Sequence, residues 1–110
     1  MARKAIPKKV KQEINNYLTT LKKDKLPIEK ALLFGSYATG KQHKWSDIDL
    51  CIVSPQFKDS WDGFTYLILK REIHDVRYAI EPHGFNPRDF NDKYSSLAQE
   101  IKKTGIEIKV

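Results

Sequence analysis

The stretch Leu33-Phe34-Gly35-Ser36, followed after ten residues by Asp47-Ile48-Asp49-Leu50-Cys51-Ile52-Val53, sets the frame for the rest of the chain. Residues 31–34 are an apolar run that reads as a short strand, and Gly35-Ser36 ends it. Residues 37–46 form a polar connection that contains Gly40. Residues 47–53 read as a second strand, closed by Ser54-Pro55. Its first half alternates polar and apolar, and its second half is all apolar, as in a buried central strand. Side chains on a strand alternate faces, so Asp47 and Asp49 share one face and Ile48 and Leu50 the other.

This spacing carries chemistry. Two carboxylates one pleat apart repel each other and raise each other's pKa unless a cation sits between them. Mg²⁺ takes oxygen ligands, commonly one or two carboxylates plus substrate phosphates. Gly35 lets a phosphate approach the backbone, and the Ser36 hydroxyl adds a donor. Carboxylate-held metal beside a phosphate-cradling turn is the arrangement that nucleotidyl transfer needs. A lone D-x-D or Gly-Ser pair is weak evidence. The whole set at this spacing arises by chance in a chain this size on the order of once in a thousand.

Working outward, Val10, Ile14, Tyr17, Leu18 and Leu21 form one stripe of a helix that starts at Pro7 and is broken by 24–27. A second helix is expected over 61–74, carrying Trp61, Phe64 and Ile68 inward. A third strand is expected over 76–81, closed by Pro82. The last helix starts at Asn86 and Pro87, with Phe90, Tyr94, Leu97, Ala98 and Ile101 as its stripe and Gly105 as its end. Residues 106–110 alternate as a terminal strand. The order α-β-β-α-β-α-β makes residues 1–110 a single α/β (α+β) domain, a small mixed β-sheet with amphipathic helices packed on one face.

Composition limits the function classes. The 110 residues are 40% hydrophobic and 31% charged, too apolar for a disordered chain. A domain this small is expected to offer a shallow site, or one that a partner completes. No apolar run approaches the ~20 residues that span a bilayer, and no apolar segment follows the basic start as in a signal peptide. The single cysteine, Cys51, excludes an internal disulfide. With no export signal, this points to a reducing cytoplasm, and the apolar run around Cys51 indicates a buried, inert thiol. Residues 1–30 hold nine Lys/Arg against three acids and carry the whole net charge of +6. Such a segment suits an anionic partner or a solvated helix face equally.

The residues Leu33-Phe34-Gly35-Ser36-Tyr37-Ala38-Thr39-Gly40 and Trp45-Ser46-Asp47-Ile48-Asp49-Leu50, with Ile80-Glu81-Pro82-His83-Gly84-Phe85 and the ending 100–108, resemble the DNA polymerase beta-like nucleotidyltransferase superfamily. Within it, the chain is similar to the minimal nucleotidyltransferases (MNT). The likeness covers roughly residues 30–110. It implies a polymerase beta-like palm fold, ATP as co-substrate and Mg²⁺ as cofactor. Gly35 and Ser36 would bind the nucleotide. Asp47 and Asp49 would hold the metal, and Glu81 would be the third catalytic and metal-binding carboxylate, where many relatives have Asp. It further implies an antitoxin that transfers AMP to a tyrosine of a HEPN-type toxin partner.

Two other readings compete with transfer. One is a non-catalytic antitoxin that masks the toxin sterically. The other is an RNA-binding or RNA-modifying protein that uses the basic first helix, although no basic-aromatic recognition motif accompanies it. His83 follows Glu81-Pro82 and could lie near the metal site or a phosphate, but a structural or loop histidine is the favoured reading, and without a His/Cys cluster zinc is not indicated. Lys41, His43 and Lys44 lie in the connection between the motif halves and read as solvated cations. Trp45 and Trp61 read as core or interface aromatics.

Overall fold

The alternation of residues 48–53 fixes both faces of the sheet. The computed structural model describes residues 6–73 and 75–110, so Arg3, Lys4 and His74 lie outside the described residues. Helix α1 (Lys8–Lys23) precedes β1 (Lys30–Phe34), the one-turn helix α2 (Ser36–Thr39) and β2 (Ile48–Val53). Helix α3 (Ser60–Leu69), a 3₁₀ turn (Val76–Tyr78) and β3 (Ile80–Phe85) follow. Helices α4 (Pro87–Phe90) and α5 (Ser96–Thr104) then lead to β4 (Ile106–Ile108). The sheet order is β3-β2-β1-β4. β1 pairs antiparallel with β2 and β4, and β2 pairs parallel with β3.

Ile48, Leu50 and Ile52 face a core built with Ala31, Leu33 and Ile80 and covered by the α1 stripe, Val10 to Leu21. Phe57 and Leu67 complete this layer. The Tyr17 hydroxyl donates to the Leu67 carbonyl at 2.5 Å and ties α1 to α3. Burial raises the Tyr17 pKa, so the hydroxyl stays a neutral donor. On the opposite face, Leu32, Phe34, Cys51, Val53 and Phe85 pack against Phe90, Ala98 and Ile101. Helices therefore cover both faces, not one. The apolar half of β2 requires this, since both of its sides must leave water. Cys51 is buried and free, with its thiol pushed up to about 12, as expected of an inert residue.

Three expected elements differ. The third strand begins at Ile80 and runs through Pro82 to Phe85, while 76–78 form the 3₁₀ turn, started by the Asp75 carboxylate accepting from the Arg77 N–H. β3 is an edge strand. Its flanking bonds, Ile48 N–H to Ala79 O and Ser54 N–H to Phe85 O, turn the backbone groups of 80, 82 and 84 away from β2. The missing N–H of Pro82 thus costs the ladder nothing. The second helix ends at Leu69 and buries Gly63 and Leu67, leaving Trp61 and Phe64 exposed. Trp45 is exposed as well, so neither tryptophan is a core residue. The last helix is split, because Asp92 accepts from the Tyr94 N–H and Ser95 starts a new helix by accepting from the Ala98 N–H. Short polar side chains compete with the helical ladder in this way, and Tyr94 is left exposed.

Gly63 and Gly84 let α3 lie directly on β3. A Cβ on Gly84 would sit 2.8 Å from Gly63 Cα. Gly84→Ala is expected to destabilise the fold by about 1–3 kcal/mol through overpacking, read as a lower melting temperature.

Candidate active site

The parallel register of β2 and β3 sets Asp49 opposite Glu81 and Cys51 opposite His83. On the other side of β2, Asp49 pairs with Phe34, the last residue of β1. Asp49 and Glu81, with His83 two residues on, share the sheet face of the second core, beyond its apolar end. One ligand atom from each of these three residues lies within 4.8 Å of the others. His83 Nε2 is 3.8 Å from Asp49 Oδ1, and both side chains are about one-quarter exposed. The His83 ring meets Phe34 edge-on at 5.0 Å between centroids. Asp47 stands one residue before β2, exposed, and outside this three-residue group.

Gly35 joins the two halves of the motif. It adopts φ +73°, ψ −153°, a conformation that essentially only glycine tolerates. A Cβ there would fall on the Asp49 carboxylate. The ten-residue connection therefore returns the chain so that the Gly35 backbone lies against Asp49. Ser36 opens α2, and the buried Tyr37 anchors that turn in the core. The Ala38 and Thr39 N–H groups donate to Gly35 O at 3.1 and 3.2 Å. These bonds close the turn; the Ser36 and Tyr37 amides precede them, at the helix start, where amides as a rule have no intrahelical acceptor. Gly40, in the left-handed region, closes α2. Beyond it, the Ser46 hydroxyl accepts from His43 N–H at 2.8 Å and pins the connection. Lys41, His43 and Lys44 remain exposed.

The Glu81 carboxyl is held above its ordinary range. Burial is the largest cause, followed by the hydrogen bond and charge of Asp49, with Asp47 adding and His83 opposing. A raised folded pKa means that the ionised form is penalised. The stabilising contribution is complete in acid and is lost as pH rises through the folded pKa. Metal-free Glu81→Gln is accordingly expected to melt above wild type at neutral pH. The difference should vanish below the ordinary value of 4.5. Thermal scans with chelator at both pH values check this; an unchanged difference across pH would contradict the assigned strain.

The donor set fits a divalent cation. Two adjacent carboxylates that disfavour joint ionisation are relieved by a cation. The buried His83 Nε2 has no hydrogen-bond partner among the described residues and lies at the same space.

Residues 13–109 match the family described as the nucleotidyltransferase domain. The chain belongs to this nucleotidyltransferase family. No curated protein matches it closely enough to carry an argument. Its fold is similar to a crystal structure of a mutant of the toxin–antitoxin MntA-HpeT, with a TM-score of 0.54 and 19% identity over 84% of this chain and 69% of that one. It is also similar to a crystal structure of a toxin–antitoxin with AMP-PNP, with a TM-score of 0.50 and 23% identity over the same shares. The mixed sheet and its helices are thus those of a nucleotidyltransferase. No helix among the described residues is long and apolar enough to cross a membrane.

In this nucleotidyltransferase Gly35, Ser36, Asp49 and Glu81 converge from three strand ends, and Asp47 stands at the rim. His83 stands beside them. Sequence reasoning allowed it near the metal site but favoured a structural or loop role, because no His/Cys cluster accompanies it and Pro82 read as a strand end, which hid the Glu81-x-His83 spacing on one strand face.

Proposed function

We propose that this chain is the antitoxin of a toxin–antitoxin pair and transfers AMP from ATP, with Mg²⁺, to a tyrosine hydroxyl of a HEPN-type toxin. The carrying observation is the Asp49–Glu81 pair set in register beside the Gly35 turn. Membership of the nucleotidyltransferase family supports the reaction class, and fold likeness to toxin–antitoxin proteins supports the partner.

Asp49 and Glu81, with Asp47 at the rim, would hold the cation, which neutralises triphosphate charge and activates the α-phosphorus. The Ser36 hydroxyl and the first amides of α2 hold the triphosphate, while Gly35 leaves the backbone open to it. The acceptor oxygen bonds to the α-phosphorus, the bond to the β-phosphate oxygen breaks, and pyrophosphate leaves. The acceptor proton passes to a carboxylate of the site. Glu81 suits this role by position, since its carboxylate lies beside Asp49 at the place where the acceptor meets the α-phosphate. Asp47 and Glu81 are exposed, so the toxin supplies the acceptor and excludes water.

The test is intact-mass spectrometry of the co-expressed toxin with ATP and Mg²⁺. Wild type is expected to add whole AMP units, and the Asp47→Asn, Asp49→Asn double variant none. An unmodified toxin that still binds both proteins would overturn transfer in favour of steric masking. Modified RNA in place of modified toxin would move the acceptor to nucleic acid.

A further inference from the structure

We propose that His83 is a metal ligand through Nε2, and that this nitrogen makes the site prefer a transition dication such as Co²⁺ to Mg²⁺. The inference rests on the metal site of the reading above, but goes beyond its all-carboxylate ligand set. Asp49 and His83 do not pair directly across β2 and β3; they stand on the diagonal of the Asp49–Glu81 rung. That diagonal puts Nε2 3.8 Å from Asp49 Oδ1. This is too long for a hydrogen bond. It falls within the roughly 3–4 Å that separates two ligands bound about 2.1 Å from one ion.

The Nε2 atom is buried and, among the described residues, has no hydrogen-bond partner. Buried polar atoms are nearly always satisfied, and an orphan calls for an ion or a water. The carboxylates of Asp49 and Glu81 close the same space, with all three ligand atoms within 4.8 Å. The ring cannot easily swing away. Phe34 holds its edge at 5.0 Å, and Pro82 and Gly84, which flank it in β3, are buried. An O,O,N set differs from an all-oxygen set in what it selects. Imidazole adds little affinity for Mg²⁺, but much for the later first-row dications.

The test titrates the full chain, without nucleotide or partner, with Co²⁺ and separately with Mg²⁺ by calorimetry. Wild type is expected to bind Co²⁺ at least about tenfold more tightly than Mg²⁺. His83→Phe keeps a ring against Phe34 and removes both nitrogens. It is expected to lose about tenfold or more in Co²⁺ affinity and to keep its Mg²⁺ affinity within about twofold. In wild type, proton NMR is expected to show the His83 ring signals strongly shifted by Co²⁺. This readout needs no variant and stands even if His83→Phe fails to fold. Unshifted ring signals, or Co²⁺ binding unchanged in folded His83→Phe, would overturn the proposal. Loss of AMP transfer to any toxin with His83-dependent Co²⁺ binding intact would overturn the functional reading alone.

Discussion

Asp49→Asn is expected to lower nucleotidyl transfer at least about a hundredfold, since even indirect partners of a metal site cost 10–100-fold when changed. Asp49 is central for a structural reason. Its register partners are Glu81 on one side and Phe34 on the other, and the Gly35 backbone lies against its carboxylate. Each of the three strand ends at the site therefore meets this side chain. The asparagine keeps the shape and removes the charge. With Asp49 neutral, one of the causes that raise Glu81 disappears, so the metal-free variant is expected to melt no lower than wild type. Pyrophosphate release from ATP in the presence of the toxin, together with a thermal scan, measures both effects. Transfer near the wild-type rate in a folded Asp49→Asn protein would remove Asp49 from the reaction.

Gly35→Ala is expected to damage stability and the site together. The backbone at φ +73°, ψ −153° costs a non-glycine residue about 1–3 kcal/mol, or roughly 4–8 °C in melting temperature per kcal/mol for a domain of this size. The added methyl also meets the Asp49 carboxylate, so the carboxylate must turn or the strand end must move. Gly40→Ala is the control. Gly40 has φ +76° at the end of α2, an ordinary left-handed position that an alanine occupies at smaller cost. Both variants should melt below wild type. Only Gly35→Ala should also lose divalent-cation binding, measured by calorimetry on the folded protein. Equal loss in the two variants would mean that the glycine at 35 serves the turn alone.

Much of the architecture was legible because its signals are local. The α1 stripe, the β1 and β2 runs and the Asn86-Pro87 helix start each depend on neighbours within a few residues. All of them stand where the periodicity placed them. The split of the last helix is a local effect of Asp92 and Ser95, but two other errors share one cause. Pro82 ends a central strand but not an edge strand, and Trp61 faces inward only if its helix is turned that way. Which case applies is decided by what packs alongside. The Gly63–Gly84 approach that orients α3 joins residues 21 positions apart and leaves no periodic trace.

The chain's own sequence determined the pairing of a Gly-Ser turn with the D-x-D, the alternation that directs Asp49 away from the core of Ile48 and Leu50, and the family to which the domain belongs. Those properties follow from residue type and strand parity, which pairing does not alter. The tertiary structure decided that Asp49 stands opposite Glu81 while Asp47 lies outside the group, and that His83 stands beside the same carboxylate pair. Register sets both, and a slip of one residue between β2 and β3 would carry Glu81 and His83 to the opposite face. That register is held by the buried packing of Ile48, Leu50, Ile52 and Ile80 against α1, by contacts between segments far apart in the chain.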